Sequence, residues 1–486
     1  MLVGAVLAAA VALRFLTRSD LWLDEALSVN IARLPLDEIP DALRHDGFPP
    51  LFYWLLHVWT AVVGEGDVAV RALSGVAAVA ALPVAWVAGR RLGGREAAWA
   101  TTLVLATSPF AIHYAIEARM YSLLALLALL GYLTVSRAVE RPSPGRLLAV
   151  AAVTGGLVLL HYWALYLVAV VLLVLAVQAV RHRDPAVVRV LLAVGAGTLA
   201  LAPWLGVLRY QLEHTGTPWT SGTNPGSALV ASVSAWGGGG VLGRILGVLL
   251  VGLAAWAVLR RPPVHLVAAV AAGTLVLGVV VAAASSSAFQ PRYTAAVVPL
   301  LALLVGVGLT AVPDRRLGGA LLVVLVGLGL LGGVRETRFE RTQAGEVADA
   351  VGAGFAAGDV VAYCPDQLGP GVSRELPDGL AQEPYPLRGD PRFVDWVDYE
   401  ERNADADPEA FAADLLEGTE GRIWYVWTPG YRTYGTACED LVELLRGTGR
   451  PSTTVVARRT EVDEDAELIR YDPVPPPARA PEPAGP

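Results

Sequence analysis

Apolar positions run in long, nearly unbroken stretches up to about residue 334 and in short, spaced runs after it. A helix needs roughly 20 mostly apolar residues to cross a bilayer. Segments 2–16, 72–88, 97–112, 120–139, 147–160, 163–180, 187–208, 241–259, 264–284, 295–312 and 317–334 reach or approach that length. The pattern predicts an α-helical polytopic membrane protein with about 11 transmembrane helices. Residues 147–180 carry no charge beyond what His161 can acquire. At about 1.5 Å per residue that stretch is too long for one crossing. It reads as a hairpin bent at "HYW", residues 161–163. The N-terminal run has no basic leader and is interrupted by Arg14, so it reads as an uncleaved first helix rather than a signal peptide.

Arginines fix the sides. Arg90, Arg91 and Arg95 share one loop, Arg137, Arg141 and Arg146 another, and Arg181, Arg183 and Arg189 a third. Arg260 with Arg261, and Arg315 with Arg316, complete the series. These loops recur every second crossing, so they share a face, which the positive-inside rule makes cytoplasmic. The opposite face then holds residues 18–67, the loop around "IEAR", the "HYW" bend, residues 209–240, "SSSAFQPRY" and everything after 334. This assignment needs "FPPLFYWLLHVWTAVV", residues 48–63, not to cross. The segment is short and rich in Trp, Tyr and His, which suits a helix lying in the outer interface, with a re-entrant segment as the near alternative.

Beyond residue 334 the pattern becomes that of a small external α/β domain, residues 335–472. "GDVVAYCPD", "RIWYVWTPG" and "ELIRYDP" read as strands, while "FAADLLEG" and "CEDLVELLRG" have helical spacing. The tail, residues 473–486, is Pro-rich and reads as disordered.

Composition supports this outline: the 486 residues are 54% hydrophobic and only 17% charged. No lysine occurs and no basic domain is visible, so a nucleic-acid partner is not expected. Cys364 and Cys438, the two cysteines, cannot alone form a structural zinc site, and both a disulfide and two separate thiols remain open.

Candidate chemistry collects on the external side. Asp24 and Glu25 follow the first helix, and Asp46 stands before "GFPP", where two prolines fix the chain's entry into an apolar helix. Asp37, Glu38 and Asp41 flank prolines and read as a solvated helix start. "SPFAIHYAIEARMYSLL" brings His113, Glu117, Arg119 and Tyr121 to one helix mouth, and arginine is the favoured side chain for bidentate phosphate binding. His161 and Tyr162 occupy the hairpin bend, and Arg292 and Tyr293 start a helix on the same face. Each has a plain structural reading as a cap, an anchor or a core polar group. Together they converge on one external cavity.

The order "DLWLDEALSV", "HDGFPPLFYWLLHVW", "SPFAIHYAIEARMYSLLALL", "HYWALY", "QPRYTAAVVP" resembles the GT-C membrane glycosyltransferases, most closely glycosyltransferase family 39 and its bacterial relatives. The protein O-mannosyltransferases and lipid A aminoarabinose transferases are in that group. The likeness spans residues 1–334, with 18–67 as the first external loop; the C-terminal domain carries no usable family signal. It implies a multi-pass protein of a bacterial plasma membrane, with its C-terminal domain extracytoplasmic. It also implies a sugar donor on polyprenyl phosphate, an acceptor hydroxyl on a glycan, lipid or protein, and inversion at the anomeric carbon. Carried onto this chain, Asp24 is the catalytic base with Glu25 adjacent. Asp46 matches the second acidic position, although "GF" separates it from the prolines where relatives often have Glu close by. Arg119, Tyr121 and His161 match donor-cavity positions, with Arg292 and Tyr293 weaker matches and His113, Glu117 and Tyr162 lining the cavity. A divalent cation, Mg or Mn, bridging Asp46 and phosphate is compatible with this chemistry, though no metal motif compels it. Two rivals stand beside this reading. A lipid or glycan flippase or transporter should show internal repeats and mid-membrane charges, and neither is evident. A non-catalytic scaffold gives no reason for acids and arginines to share a side.

Overall fold

The computed structural model describes residues 1–216, 222–285 and 288–474. Its contacts divide the chain into two units. Met1–Ser19, Ser28–Phe339 and Asp395–Val397 form the first, and Asp20–Leu27, Glu340–Val394 and Asp398 onward form the second.

The first unit is helical. Every apolar segment predicted above falls mostly on helix. Among the described residues, seven helices are long and apolar enough to cross a membrane: Asp67–Thr107, Tyr121–Glu140, Ala164–His182, Pro185–His214, Gly240–Arg260, Pro262–Ala284 and Arg315–Glu336. Leu2–Leu13, Leu51–Val63, Pro144–Leu160 and Val298–Thr310 are apolar but shorter. Within Asp67–Thr107, Gly94 takes φ +83°, a left-handed conformation that only glycine adopts cheaply, and splits the run in two. Residues 147–180 form the predicted hairpin, as Pro144–Leu160 and Ala164–His182.

Two predicted segments are interrupted. Residues 97–112 break at Ser108, whose Oγ accepts the Ala111 N–H and starts a new short helix, Pro109–His113. Residues 187–208 tighten into a 3₁₀ stretch, Leu199–Trp204, around Pro203, which has no N–H to give. Hydropathy does not register either break. A further helix, Pro225–Trp236, capped by Asn224, was not predicted from the sequence.

Val298–Thr310 is buried along almost its whole length and packs against Asp67–Thr107 and Gly240–Arg260. A helix apolar on every side belongs in a bundle interior. Its glycines permit the approach: a Cβ on Gly308 would lie 2.1 Å from the Leu253 carbonyl oxygen, and one on Gly306 2.1 Å from Thr101 Oγ1.

Four of the five arginine loops, those at 90–95, 137–146, 260–261 and 315–316, lie together. Arg91 pairs with Glu140. A cleft of about 810 Å³ is lined by Glu96, Arg261 and Arg315, bringing the residue 92–96, 261–263 and 309–319 segments together.

Residues 18–67 are themselves helical, as Leu23–Ala32, Ile39–Asp46 and Leu51–Val63. The 13 residues of Leu51–Val63 span about 20 Å, short of a ~30 Å hydrocarbon core. Asp37, Glu38 and Asp41 are exposed around the start of Ile39–Asp46, as a solvated helix start requires.

The second unit holds a mixed five-stranded sheet: β1 Val360–Cys364, β2 Ala381–Pro384, β3 Ile423–Trp427, β4 Ser452–Val456 and β5 Glu467–Tyr471. Their order is β2-β1-β3-β5-β4, with β1 parallel to β2 and β3, and β5 antiparallel to β3 and β4. Val361, Tyr363, Trp424, Val426 and Leu468 form its core with Val347 and Val351 of the helix Ala344–Gly354. Cys364, at the end of β1, is disulfide-bonded to Cys438 in the helix Ala437–Gly447, which settles the pairing the sequence left open. Residues 475–486, the bulk of the Pro-rich tail, lie outside the described residues.

Candidate functional site

In the first unit the site is built around Arg119. The turn "IEAR" connects Pro109–His113 to Tyr121–Glu140, and the Arg119 N–H closes it by donating to the Glu117 carbonyl at 2.8 Å. Ser74 Oγ donates to the Arg119 carbonyl at 2.8 Å, pinning the turn to the helix Asp67–Thr107. The guanidinium is only 1% exposed. Its Nη1 donates to Ser28 Oγ at 2.7 Å, and it lies 4.5 Å from the ring centre of Phe48.

Phe48 leads to His161, edge-on at 5.9 Å. His161 in turn sits 5.6 Å from both Tyr121 and Tyr293. Tyr293 stacks on Trp163 at 4.7 Å. His161 Nδ1 accepts the Trp163 N–H at 3.0 Å, which leaves Nε2 as the protonated nitrogen of the neutral ring. Nε2 has no hydrogen-bond partner among the described residues. Burial, then the Arg119 and Arg292 charges, push the His161 pKa down to about 3, so the ring is neutral at any physiological pH. Arg119, Tyr121, His161, Arg292 and Tyr293 are thus brought together.

Asp46 ends the helix Ile39–Asp46, and Gly47, at φ +85°, turns the chain out of it. The Asp46 carboxylate accepts the Tyr53 hydroxyl at 2.5 Å. Among the described residues no group of three His, Cys, Asp or Glu side chains could hold a metal ion. Asp46 would therefore offer a cation a single carboxylate already engaged by Tyr53.

The remaining cavity candidates have further partners of their own. His113 Nδ1 lies 2.8 Å from Glu336 and its Nε2 3.9 Å from the buried Glu117, and its ring leads through Tyr114, at 4.7 Å, to Tyr121, 4.8 Å further on. Tyr162 points to a different partner set: its hydroxyl donates to Gln211 Oε1 and accepts the Trp204 indole N–H at 2.8 Å. Gln211 Nε2 donates onward to the Leu43 carbonyl at 2.6 Å.

Asp24 and Glu25 occupy the first turn of Leu23–Ala32 and group with the second unit. Consecutive helical residues point about 100° apart, and the two acids accordingly differ. Glu25 is fully buried, 3.7 Å from the equally buried Arg341. Asp24 is half-buried. The Leu23 N–H donates to Glu464 Oε2 at 3.2 Å. Burial, and then the neighbouring Asp24 and Asp463 charges, push the Glu464 carboxyl up to about 8, against hydrogen bonds from Thr342 and Leu23 that pull it down. Ser28, Phe48, Tyr53, Ser74, Glu336, Arg341 and Glu464 escaped the sequence reading. Only the aromatic run "FPPLFYW" carried a local signal, for Phe48 and Tyr53.

Residues 48–208 match the model of the family described as dolichyl-phosphate-mannose-protein mannosyltransferase. None of the curated proteins matches the chain by sequence. Among solved structures the chain is similar to ArnT from Cupriavidus metallidurans in the apo state, at 16% identity and a TM-score of 0.64, covering 96% of this chain and 97% of that one. ArnT bound to undecaprenyl phosphate gives 15%, 0.62 and the same coverage. The archaeal oligosaccharyltransferase AglB from Archaeoglobus fulgidus, in complex with an inhibitory peptide and a dolichol-phosphate, gives 11% and 0.51, covering 92% of this chain and 72% of that one. At these identities the likeness concerns the fold, the GT-C architecture that the order of sequence motifs implied.

Proposed function

We propose that this chain, a polytopic membrane protein of GT-C fold, is an inverting glycosyltransferase that moves a sugar from a polyprenyl-phosphate donor to an acceptor hydroxyl on the extracytoplasmic face. The observation that carries the reading is the buried Arg119 guanidinium, oriented by Ser28 and Phe48 in one cluster with His161 and Tyr293. A buried, pre-oriented guanidinium suits an anionic group that gains charge during reaction. The match to a dolichyl-phosphate-mannose-dependent family, and the polyprenyl phosphates bound by ArnT and AglB, support a lipid phosphate as that group.

The acceptor oxygen attacks the anomeric carbon as the bond from that carbon to the phosphate oxygen breaks. The bonding pair leaves on the polyprenyl phosphate, and the acceptor proton passes to a carboxylate. The family resemblance puts Asp24 in that role; Glu25 beside it is fully buried against Arg341. Arg119 and Arg292 receive the charge that accumulates on the leaving phosphate. Neutral His161 supplies an N–H donor that does not add a third positive charge. The stacked Trp163–Tyr293 pair provides an aromatic face for the sugar. The Cys364–Cys438 disulfide supports an extracytoplasmic second unit, since disulfides persist in oxidising compartments.

The test is Asp24→Asn in purified full-length protein, with undecaprenyl-phosphate-linked mannose as probe and a panel of glycan, lipid and peptide acceptors. Release of undecaprenyl phosphate should fall by about 10²–10⁴-fold, the usual worth of a general base. Turnover equal to wild type would remove Asp24 from the mechanism.

A further inference from the structure

We propose that Glu464, in the loop leading into β5, is a positioning residue for Asp24: its carboxyl closes the amino end of the helix Leu23–Ala32 and so fixes the turn from which Asp24 projects. The inference deepens the reading above and rests on Asp24 being the base.

The first amides of a helix have no intrahelical acceptor and need one from outside. A short polar side chain just before the helix normally supplies it. Here the preceding residues are Leu21 and Trp22, which have no such acceptor. The Leu23 N–H is met instead by Glu464 Oε2 at 3.2 Å, from 441 positions away in the sequence.

Glu464 is well placed to hold a fixed position. Its own N–H donates to the Arg341 carbonyl at 2.8 Å, and its carbonyl accepts the Gln343 N–H at 3.2 Å. Gln343 Oε1 accepts the Arg459 and Ala466 N–H groups at 2.8 and 3.1 Å, tying both ends of the same loop to residues 341–343. Arg341, on that anchoring segment, meets Glu25. The two residues that flank Asp24, Leu23 through its backbone and Glu25 through its side chain, are therefore held by the second unit's main body.

The groups around Glu464 are Asp24 and Asp463, with Thr342 and the Leu23 amide as donors; Tyr431 lies within the field of both Glu464 and Asp24. Two neighbouring acids and burial disfavour its charge, and a neutral carboxyl still accepts a hydrogen bond through its carbonyl oxygen. Glutamine reproduces that state. Leucine fills the space and accepts nothing.

The experiment compares Glu464→Gln, Glu464→Leu and Asp24→Asn in the full-length protein, using undecaprenyl-phosphate-linked mannose and hydrogen–deuterium exchange over residues 23–30. In E464L, exchange at residues 23–26 should rise roughly five- to tenfold, the usual worth of a lost cap. Its kcat should fall about tenfold or more through misplacement of the base, while donor KM stays within twofold. E464Q should restore both. Should E464L fail to accumulate, Glu464→Asp, one methylene short of Leu23, should show the same rise in exchange. Wild-type exchange and kcat in E464L, or E464Q as impaired as E464L, would overturn the proposal. D24N separates the two readings: if it turns over normally the base assignment fails, and the exchange data decide the Glu464 cap independently.

Discussion

Arg119→Gln tests the proposed phosphate chemistry most directly. The guanidinium is 1% exposed, so its charge acts with little solvent screening. Ser28 at 2.7 Å and the Phe48 ring at 4.5 Å set its plane before substrate arrives. A donor aimed at charge that develops only in the transition state is worth about 2.7–4 kcal/mol, or roughly 10²–10³ in kcat. Glutamine removes the charge and should cost that whole range. Arg119→Lys keeps a charge but loses the planar fork and its stacking on Phe48, and should cost about 10–100-fold. Ser28→Ala removes one orienting bond of about 1 kcal/mol, which is roughly fivefold. The expected order of kcat is therefore wild type, S28A, R119K, R119Q. The assay is release of undecaprenyl phosphate from undecaprenyl-phosphate-linked mannose by detergent-purified protein, with each variant's thermal midpoint measured alongside. R119Q within threefold of wild type would refute the phosphate role. So would a lysine variant slower than the glutamine one, since retained charge could then not be what matters.

Two further predictions concern stability. Asp366 is buried in the second unit, where its Oδ1 accepts the Tyr399 and Tyr434 hydroxyls at 2.6 and 2.9 Å, and burial pushes its pKa up to about 6 from an ordinary 3.8. The folded state thus holds a proton that the unfolded chain has lost; stability is greatest below about pH 4, falls as pH rises through 6, and stays lower above it by roughly 3 kcal/mol. Asp366→Asn should flatten that slope and slow exchange of the β1 amides at pH 7.5, and an Asn variant as pH-sensitive as wild type would count against the assignment. In the first unit, Gly308→Ala drives a Cβ to within 2.1 Å of the Leu253 carbonyl and should cost about 1–3 kcal/mol. Gly319→Ala, with nothing within 4 Å, should leave the thermal midpoint unchanged, and equal midpoints for the two variants would contradict the close packing.

What was legible in the sequence follows from which forces leave a local trace. Burial in lipid demands long apolar runs, so every predicted segment proved mostly helical, yet hydropathy averaged over the "SP" at Ser108 and the "AP" at Pro203, where backbone chemistry interrupts the helix. β1, β3 and β5 were readable because they sit inside the sheet and are densely apolar. β2 and β4 were not, because "AQEP" and "STTVV" are edge strands with one buried residue each. The candidate site divides the same way. Charged residues in an apolar chain announce themselves, but their partners do not. Ser28 and Tyr53 are ordinary residues until the fold sets one on Arg119 and the other on Asp46.

The acidic pair shows why adjacency misleads. "DE" reads as one feature, but on a helix its members diverge, and Glu25 is consumed by Arg341 while Asp24 keeps a solvent-accessible face. The environment of the proposed base is then set by residues 341–343 and 464, in a part of the chain that carries no family signal. A family motif can therefore point to the acid, whereas its placement depends on residues 341–343 and 464. This makes the Glu464 variants the sharper comparison between this chain and others of its fold: a change in kcat without a change in donor KM can arise there only if the second unit shapes the catalytic turn.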